Sequence, residues 1–189
     1  MAKVYDSIDG RLRGFLLAQP VFFVATAPSG SGGHVNLSPK GMAGCFAVLG
    51  EHRVGYLDYT GSGAETIAHL RDNGRITLMF CAFDGPPKIV RLHGRGTAVR
   101  PGEPGFAESR VAIRSQGIAH RDNDHGLRSI VTVDVQRVSD SCGFAVPRMA
   151  YLEDRPLLDE WAARKSDEDL FEYRTTRNAA SIDGLPALG

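Results

Sequence analysis

The residues best suited to chemistry lie between His34 and Phe83. Thr60-Gly61-Ser62-Gly63, followed by Thr66, places small residues and hydroxyls at the entry to a short helical pattern from Ala64 to Asp72. The start of a helix leaves backbone N–H groups without intrahelical acceptors, and such groups bind anions. Lys40, two residues after Ser38, adds a positive charge. This combination suits the phosphate of a small cofactor. A hairpin lysine in water and an ordinary first helical turn explain the same residues, and the pattern alone does not choose between the two. Glu65 supports the helix dipole or pairs with an arginine more readily than it meets a phosphate, because two anions repel.

Other groups are weaker candidates. Ile89, Arg91 and His93 alternate with Val90 and Leu92, so Arg91 and His93 share one face of a strand. They line a groove or pair structurally, and His93 could titrate near neutrality. The run His120-Arg-Asp-Asn-Asp-His125 superficially resembles a metal site. Its histidines are five apart and share no helix face, and Leu127 stands where a calcium loop needs glycine, so a polar surface loop is expected. Cys45, Cys81 and Cys142 form no C-x-x-C pair and are expected as reduced, buried thiols. Trp161, on a charged helix with Leu157 and Leu158, reads as a packing residue.

These groups need a scaffold, and the pattern supplies one. Residues 7 to 18 carry Ile8, Leu12, Phe15 and Leu16 at helical spacing, with Asp6 or Ser7 as the N-cap and Gln19-Pro20 as the stop. Residues 21 to 40 read as a hairpin turning at Pro28 to Gly33, with Pro39 on an edge or at a bend. Phe46 to Leu49 and Arg53 to Tyr59 follow as strands. Asn73-Gly74 closes the short helix, and Arg75 to Phe83 is apolar enough for a central strand. Lys88 to Arg100 is a long strand with a bend or bulge at Gly94 and Gly96. Residues 101 to 127 read as polar and partly helical, and Ser129 to Val138 as a strand with one buried face. Phe144 to Pro147 reads as a further short extended piece. Two charged helices and an apolar tail containing Leu185, Pro186 and Leu188 end the chain, the tail packing on another surface such as a partner subunit.

Composition narrows the classes. The chain has 189 residues and balances 22 basic against 22 acidic side chains, so no basic excess points to nucleic acid or a membrane surface. No run approaches the ~20 apolar residues of a membrane span. Charges at Asp6, Asp9, Arg11 and Arg13 interrupt any signal peptide, and a cytoplasmic location is expected. Many short strands with glycine-marked bends indicate an α+β, mainly β protein, an antiparallel barrel with peripheral helices. A Rossmann fold is excluded, since Gly61-Ser62-Gly63 lacks the third glycine and long helices do not alternate with strands.

The segments Asn36-Leu-Ser-Pro-Lys-Gly41, Asp58-Tyr-Thr-Gly61 and Leu70 to Phe80, with the glycine-ended Val90 to Gly94, resemble the pyridoxamine 5'-phosphate oxidase-like superfamily. The resemblance covers about residues 15 to 140 and rests on the order and spacing of these segments. It implies a six-stranded split β-barrel, a homodimer, and FMN held in a groove between subunits. By position it implies Asn36, Ser38 and Lys40 along the flavin or its phosphate, with Tyr59 and Thr60 as an aromatic-hydroxyl pair before the phosphate loop. The true vitamin-B6 oxidases carry an Arg-Lys pair in that loop, where Glu65 and Thr66 stand here. Lys40, Lys88 or Arg91 would then have to supply the missing charge. The Arg-x-His substrate motif of the oxidases is also absent, which points to a different member of the superfamily. The resemblance also allows Trp161 to reach a partner's flavin. The expected organisation is a flavin-binding barrel over residues 1–150 and a helical extension over 151–189. The expected activity is FMN-dependent oxidoreduction of an unidentified small molecule, with no catalytic side chain singled out. Alternatives are a deazaflavin-dependent reductase of the same fold, with Arg110, Arg114, Arg121 and Arg128 as an added basic groove, or a flavin- or haem-binding protein without turnover.

Overall fold

The computed structural model describes residues 3–116 and 123–189. Their elements run β1 (Val4–Tyr5), α1 (Gly10–Leu17), β2 (Phe22–Thr26), β3 (Asn36–Lys40), β4 (Phe46–Gly50), β5 (Arg53–Tyr59), α2 (Glu65–Asp72), β6 (Arg75–Cys81) and β7 (Ile89–Val99). They continue with α3 (Phe106–Gln116), β8 (Leu127–Ser141), α4 (Leu157–Ala163) and α5 (Asp167–Thr176). The strands form one antiparallel sheet in the order β3-β2-β6-β7-β8-β5-β4, with β1 added on β8. The expected class is thus the one observed. The count is eight strands among the described residues rather than six, and the two-residue β1 is one of the additions.

The sheet curls on itself. Phe22 of β2 lies 5.2 Å from Phe46 of the far edge strand β4 and 5.5 Å from Tyr56 of β5, measured between ring centroids. Phe80 of β6 stacks on Phe22 at 5.3 Å. These rings join Val24, Leu78, Leu92, Val131 and Val133 in the barrel core, which α1 covers with Leu12 and Leu16. Aromatic pairs of this kind add to the burial that already favours closure. The hydrogen-bonded sheet nonetheless ends at β3 on one side and β4 on the other. Pro39 occupies the outermost strand, where its missing N–H breaks no central ladder.

Several local expectations are corrected. Asp9 caps α1, accepting from the Leu12 N–H at 2.8 Å, so neither Asp6 nor Ser7 is the N-cap. β8 is buried on both faces from Leu127 to Val133, because α3 and the neighbouring strands cover the second side. Phe144 to Pro147 adds no strand. Cys142 is exposed, whereas Cys45 and Cys81 are buried. The expected bulge is present: the β7–β8 register shifts between His93 and Gly94. A Cβ at Gly94 would stand 2.2 Å from the Asp134 carbonyl oxygen, so only glycine allows the strands to approach there.

The last residues fold back on their own chain. Ala187 and Leu188 are buried against Ala64, Ile67 and Ala68 of the α2 region. Arg71 donates to the Ala187 carbonyl, and Glu65 accepts from the Ile182 N–H at 3.2 Å. His34 and Asp183 add a tie at 2.7 Å. The apolar tail therefore covers α2 of its own chain.

Candidate functional site

A cavity of about 380 Å³ opens where the barrel is split. One wall is the edge strand β3 with Asn36, Ser38 and Lys40. Another is the end of β5 with Leu57, Asp58 and Tyr59. The roof is the loop Gly61 to Gly63 running into Glu65 and Thr66 of α2, and Arg128 reaches in from β8. Phe22, Met42, Cys45 and Leu158 form an apolar side. The volume falls within the range of small-molecule sites.

Alternation along β3 aims Asn36, Ser38 and Lys40 the same way. Their polar atoms are ordered by one another. The Asn36 amide Nδ2 donates to Thr26 Oγ1 and to Thr66 Oγ1, both at 3.1 Å. Ser38 Oγ donates to Asn36 Oδ1 at 2.7 Å. Thr26 Oγ1 in turn lies 3.0 Å from Nδ1 of the fully buried His69. Both Asn36 amide hydrogens are thereby used, and the orientation of the amide is fixed.

Asp58 is the electrostatic centre. It ends the barrel-facing row of β5, where the β5–β8 register shifts between Asp58 and Tyr59. It is 2 % exposed. Lys40 Nζ donates to its Oδ1 at 2.6 Å, and Arg128 Nε donates to its Oδ2 at 2.8 Å. Ser129 Oγ donates to the same Oδ2 at 3.2 Å. Burial pushes the Asp58 carboxyl upward, but the Arg128 and Lys40 charges outweigh it and hold it well below the usual carboxylate range. Arg128 Nη1 also donates to Asn178 Oδ1 at 3.0 Å, and Asn178 Nδ2 donates to the Gly61 carbonyl at 3.0 Å. The C-terminal segment thus secures the loop that roofs the cavity. Arg174 of α5 donates from Nε to Thr60 Oγ1 at 2.9 Å, while the Thr60 hydroxyl donates to the Gly126 carbonyl at 2.8 Å.

The structure brings together five of the eight residues singled out in the sequence: Asn36, Ser38, Lys40, Tyr59 and Thr66 all line the cavity. Thr60 stands directly behind its roof. Lys88 and Arg91 do not join them. Lys88 lies 3.7 Å from Asp140 and over the Tyr5 and Phe15 rings, and Arg91 donates to Ser141 Oγ at 3.0 Å. Within the described residues, neither supplies charge to the Glu65–Thr66 loop. The arginine groove is not assembled either, since Arg110 and Arg114 pair with Asp124 and Arg128 pairs with Asp58; Arg121 lies outside the described residues. So does His120 of the histidine run, whose other end, His125, holds the Ala162 and Lys165 carbonyls. Trp161 of α4 packs edge-on against Tyr173 of α5, with ring centroids 5.2 Å apart.

Sequence reasoning missed Asp58 and Asn178 as site residues and named Arg128 only as part of an alternative basic groove. One signal was available: an aspartate inside the apolar run Val54 to Tyr59 has to find a cation.

Comparison with known proteins agrees with this architecture. A family model described as pyridoxamine 5'-phosphate oxidase matches residues 8–142. The pyridoxamine 5'-phosphate oxidase family protein ustO of Aspergillus flavus is 40% identical over 204 residues, covering 100% of this chain and 78% of that protein. The chain belongs to the pyridoxamine 5'-phosphate oxidase family. Among solved structures, HupZ of Group A Streptococcus matches with a TM-score of 0.50 and 20% identity, over 69% of this chain and 91% of that one. A putative 5-nitroimidazole antibiotic resistance protein of Bacteroides thetaiotaomicron matches with a TM-score of 0.52 and 14% identity, over 74% of this chain and 86% of that one. These two share the fold.

Proposed function

We propose that the chain binds FMN in the cavity at the split of its barrel and works as a flavin-dependent oxidoreductase on a small molecule. The cavity carries this reading: one side is a fixed set of hydrogen-bonding groups, and the other is apolar. That division suits a planar ring system with a polar edge and an anionic tail. A bound flavin supplies the redox chemistry, and the protein supplies position and electrostatics. Asn36, Ser38 and Lys40 would run along its polar edge. The Gly61 to Gly63 backbone and the Thr66 hydroxyl would face its phosphate. Glu65 is directed to the Ile182 N–H, which keeps its carboxylate engaged with the tail. Asp58 accepts from Lys40 Nζ at 2.6 Å, which fixes the lysine at the cavity wall.

Residues 1–150 form the cofactor-binding unit in this proposal and 151–189 its extension. Homodimer formation is part of it. Val35, Leu37, Phe144, Met149, Tyr151 and Leu152 are exposed apolar side chains of the kind that partners cover. No described helix is long and apolar enough to cross a membrane, and we place the protein in the cytoplasm.

The test is titration of the apoprotein with FMN, read by flavin fluorescence, then screening of NADH and NADPH as reductants. Stoichiometric binding is expected. A purified protein that ignores FMN but shows a Soret band, or binds only a deazaflavin, would replace this reading with the corresponding alternative.

A further inference from the structure

The polar wall of the cavity is backed by a chain of hydrogen bonds that ends on a buried histidine. Thr66 and His69 stand three residues apart on α2, so they share one face of the helix. Thr26 of β2 and Asn36 of β3 are register partners across their two strands. The two pairs meet. Asn36 Nδ2 donates to Thr66 Oγ1 and to Thr26 Oγ1, and Thr26 Oγ1 lies 3.0 Å from His69 Nδ1. His69 is fully buried, and Thr26 is 4 % exposed. A hydroxyl carries one hydrogen, so the directions along the chain follow from one another. Thr26 accepts from Asn36, and His69 Nδ1 is the one acceptor for its hydrogen among the described residues. That makes Nδ1 a lone-pair nitrogen and puts the ring hydrogen on Nε2. Nε2 makes no hydrogen bond among the described residues. A buried N–H is seldom left unpaired, and the acceptor role of Nδ1 supplies the reason for this one. At the other end of the chain, Ser38 directs its hydrogen to Asn36 Oδ1 at 2.7 Å. Thr66 accepts from Asn36, and its own hydrogen has no acceptor among the described residues. Both Ser38 and Thr66 line the cavity.

We propose that His69 is a positioning residue that sets which groups of the cavity wall donate and which accept. By accepting from Thr26, it holds the Asn36 amide with Nδ2 toward α2 and Oδ1 toward Ser38. Ser38 then offers the cavity lone pairs only, and Thr66 offers it a hydrogen. The ligand that fits presents an N–H or O–H to Ser38 and an acceptor oxygen to Thr66, the donor and acceptor set of an amide or imide. Without the Nδ1 acceptor, Thr26 would turn its hydrogen to Asn36 Oδ1. The amide would then flip, and the roles of Ser38 and Thr66 would exchange. The relay requires only the cavity, whereas its action on the ring N–H of FMN rests on the flavin reading.

The first experiment is proton–nitrogen correlation NMR of the full chain with isotope-labelled histidine, the His69 signals being those lost in His69→Leu. It reports which ring nitrogen carries the hydrogen. Hydrogen on Nε2 alone is expected, and hydrogen on Nδ1 overturns the relay. FMN and a derivative methylated at the ring imide nitrogen, which lacks the N–H, are then titrated into the natural sequence, His69→Leu and His69→Asn. Each variant is checked for folding by circular dichroism. His69→Asn keeps a carbonyl oxygen near the place of Nδ1. The natural protein and His69→Asn are expected to prefer FMN, and His69→Leu to lose that preference by roughly tenfold. A general loosening of α2 would weaken both ligands alike, and an unchanged preference overturns the positioning role. If neither flavin binds the natural protein while His69 carries its hydrogen on Nε2, the flavin reading falls and the relay stands. The exchange is then read from the Asn36 side-chain amide signals, which should move in His69→Leu and return in His69→Asn. Signals that stay in place overturn the relay.

Discussion

Asp58 and Asp140 are built from similar parts and do different work. Each holds a lysine and at least one further donor. Asp140 receives the Tyr5 hydroxyl, the Lys3 N–H at 3.0 Å, and Lys88 at 3.7 Å. It lies near the C-terminal end of β8, opposite Val90 of β7, partly open to water, and fastens the N-terminal strand β1. Asp58 is buried at the split of the barrel and receives two cations, both of which reach a cavity. Residue type is therefore a poor guide to the role of either cluster. What separates them is position relative to the gap between β3 and β4. At Asp140 the charges balance locally and serve attachment. At Asp58 two cations meet one buried carboxylate on the wall of a cavity that Glu65 also lines.

The strongest way to break this contrast is to remove each carboxylate. Asp58→Ala strands the buried Arg128 and should cost roughly 3–5 kcal/mol of folding stability. Asp140→Ala affects a partly solvated cluster and should cost about 1 kcal/mol. Urea unfolding of both variants checks this, and equal losses would erase the distinction. A smaller effect is expected from truncation before Asn178. It exposes the surface under Leu188, worth roughly 1.5–3 kcal/mol, and releases the Gly61 carbonyl from Asn178. Sedimentation and FMN titration of the truncated chain should show weakened flavin retention. A truncated protein that is equally stable and flavin-loaded would show that the tail does not support the site. The smallest effect separates the clusters by pH. The hydrogen bond to Asp140 pushes the Tyr5 hydroxyl up to about 12. Its neutral form is favoured in the fold, so this stabilisation is whole below about pH 10 and is lost as pH rises through about 12. Asp58 is held low, so its contribution is whole above about pH 4 and is lost in acid. Tyr5→Phe should remove the alkaline step in a thermal-melt profile and leave the acid limb.

The legible part of the site was the local part. Asn36, Ser38 and Lys40 alternate on one short strand, and Thr66 follows a glycine loop, so period and turn chemistry were enough to find them. The strands themselves followed from apolar runs and glycine punctuation. Arg128 and Asn178 were not legible as partners, because they lie 70 and 50 positions from the groups they hold, Asp58 and Arg128 respectively. Which arginine crosses to which strand is set by sheet order, and β5 pairs with β8 rather than with its successor in the chain. The same reason explains why Lys88 and Arg91 looked available: strand alternation shows which way a side chain points, but not which end of the barrel it occupies.

The link between Gly61 and Asn178 spans 117 positions. During synthesis, β3, β5 and the loop leave the ribosome long before the segment that secures them. The barrel can close early on its aromatic core, but the roof of the cavity is finished only when Asn178 has emerged and reached back. Ligand capture is thus placed after translation of most of the chain, and a nascent chain stalled before that point would hold a barrel without a completed binding site.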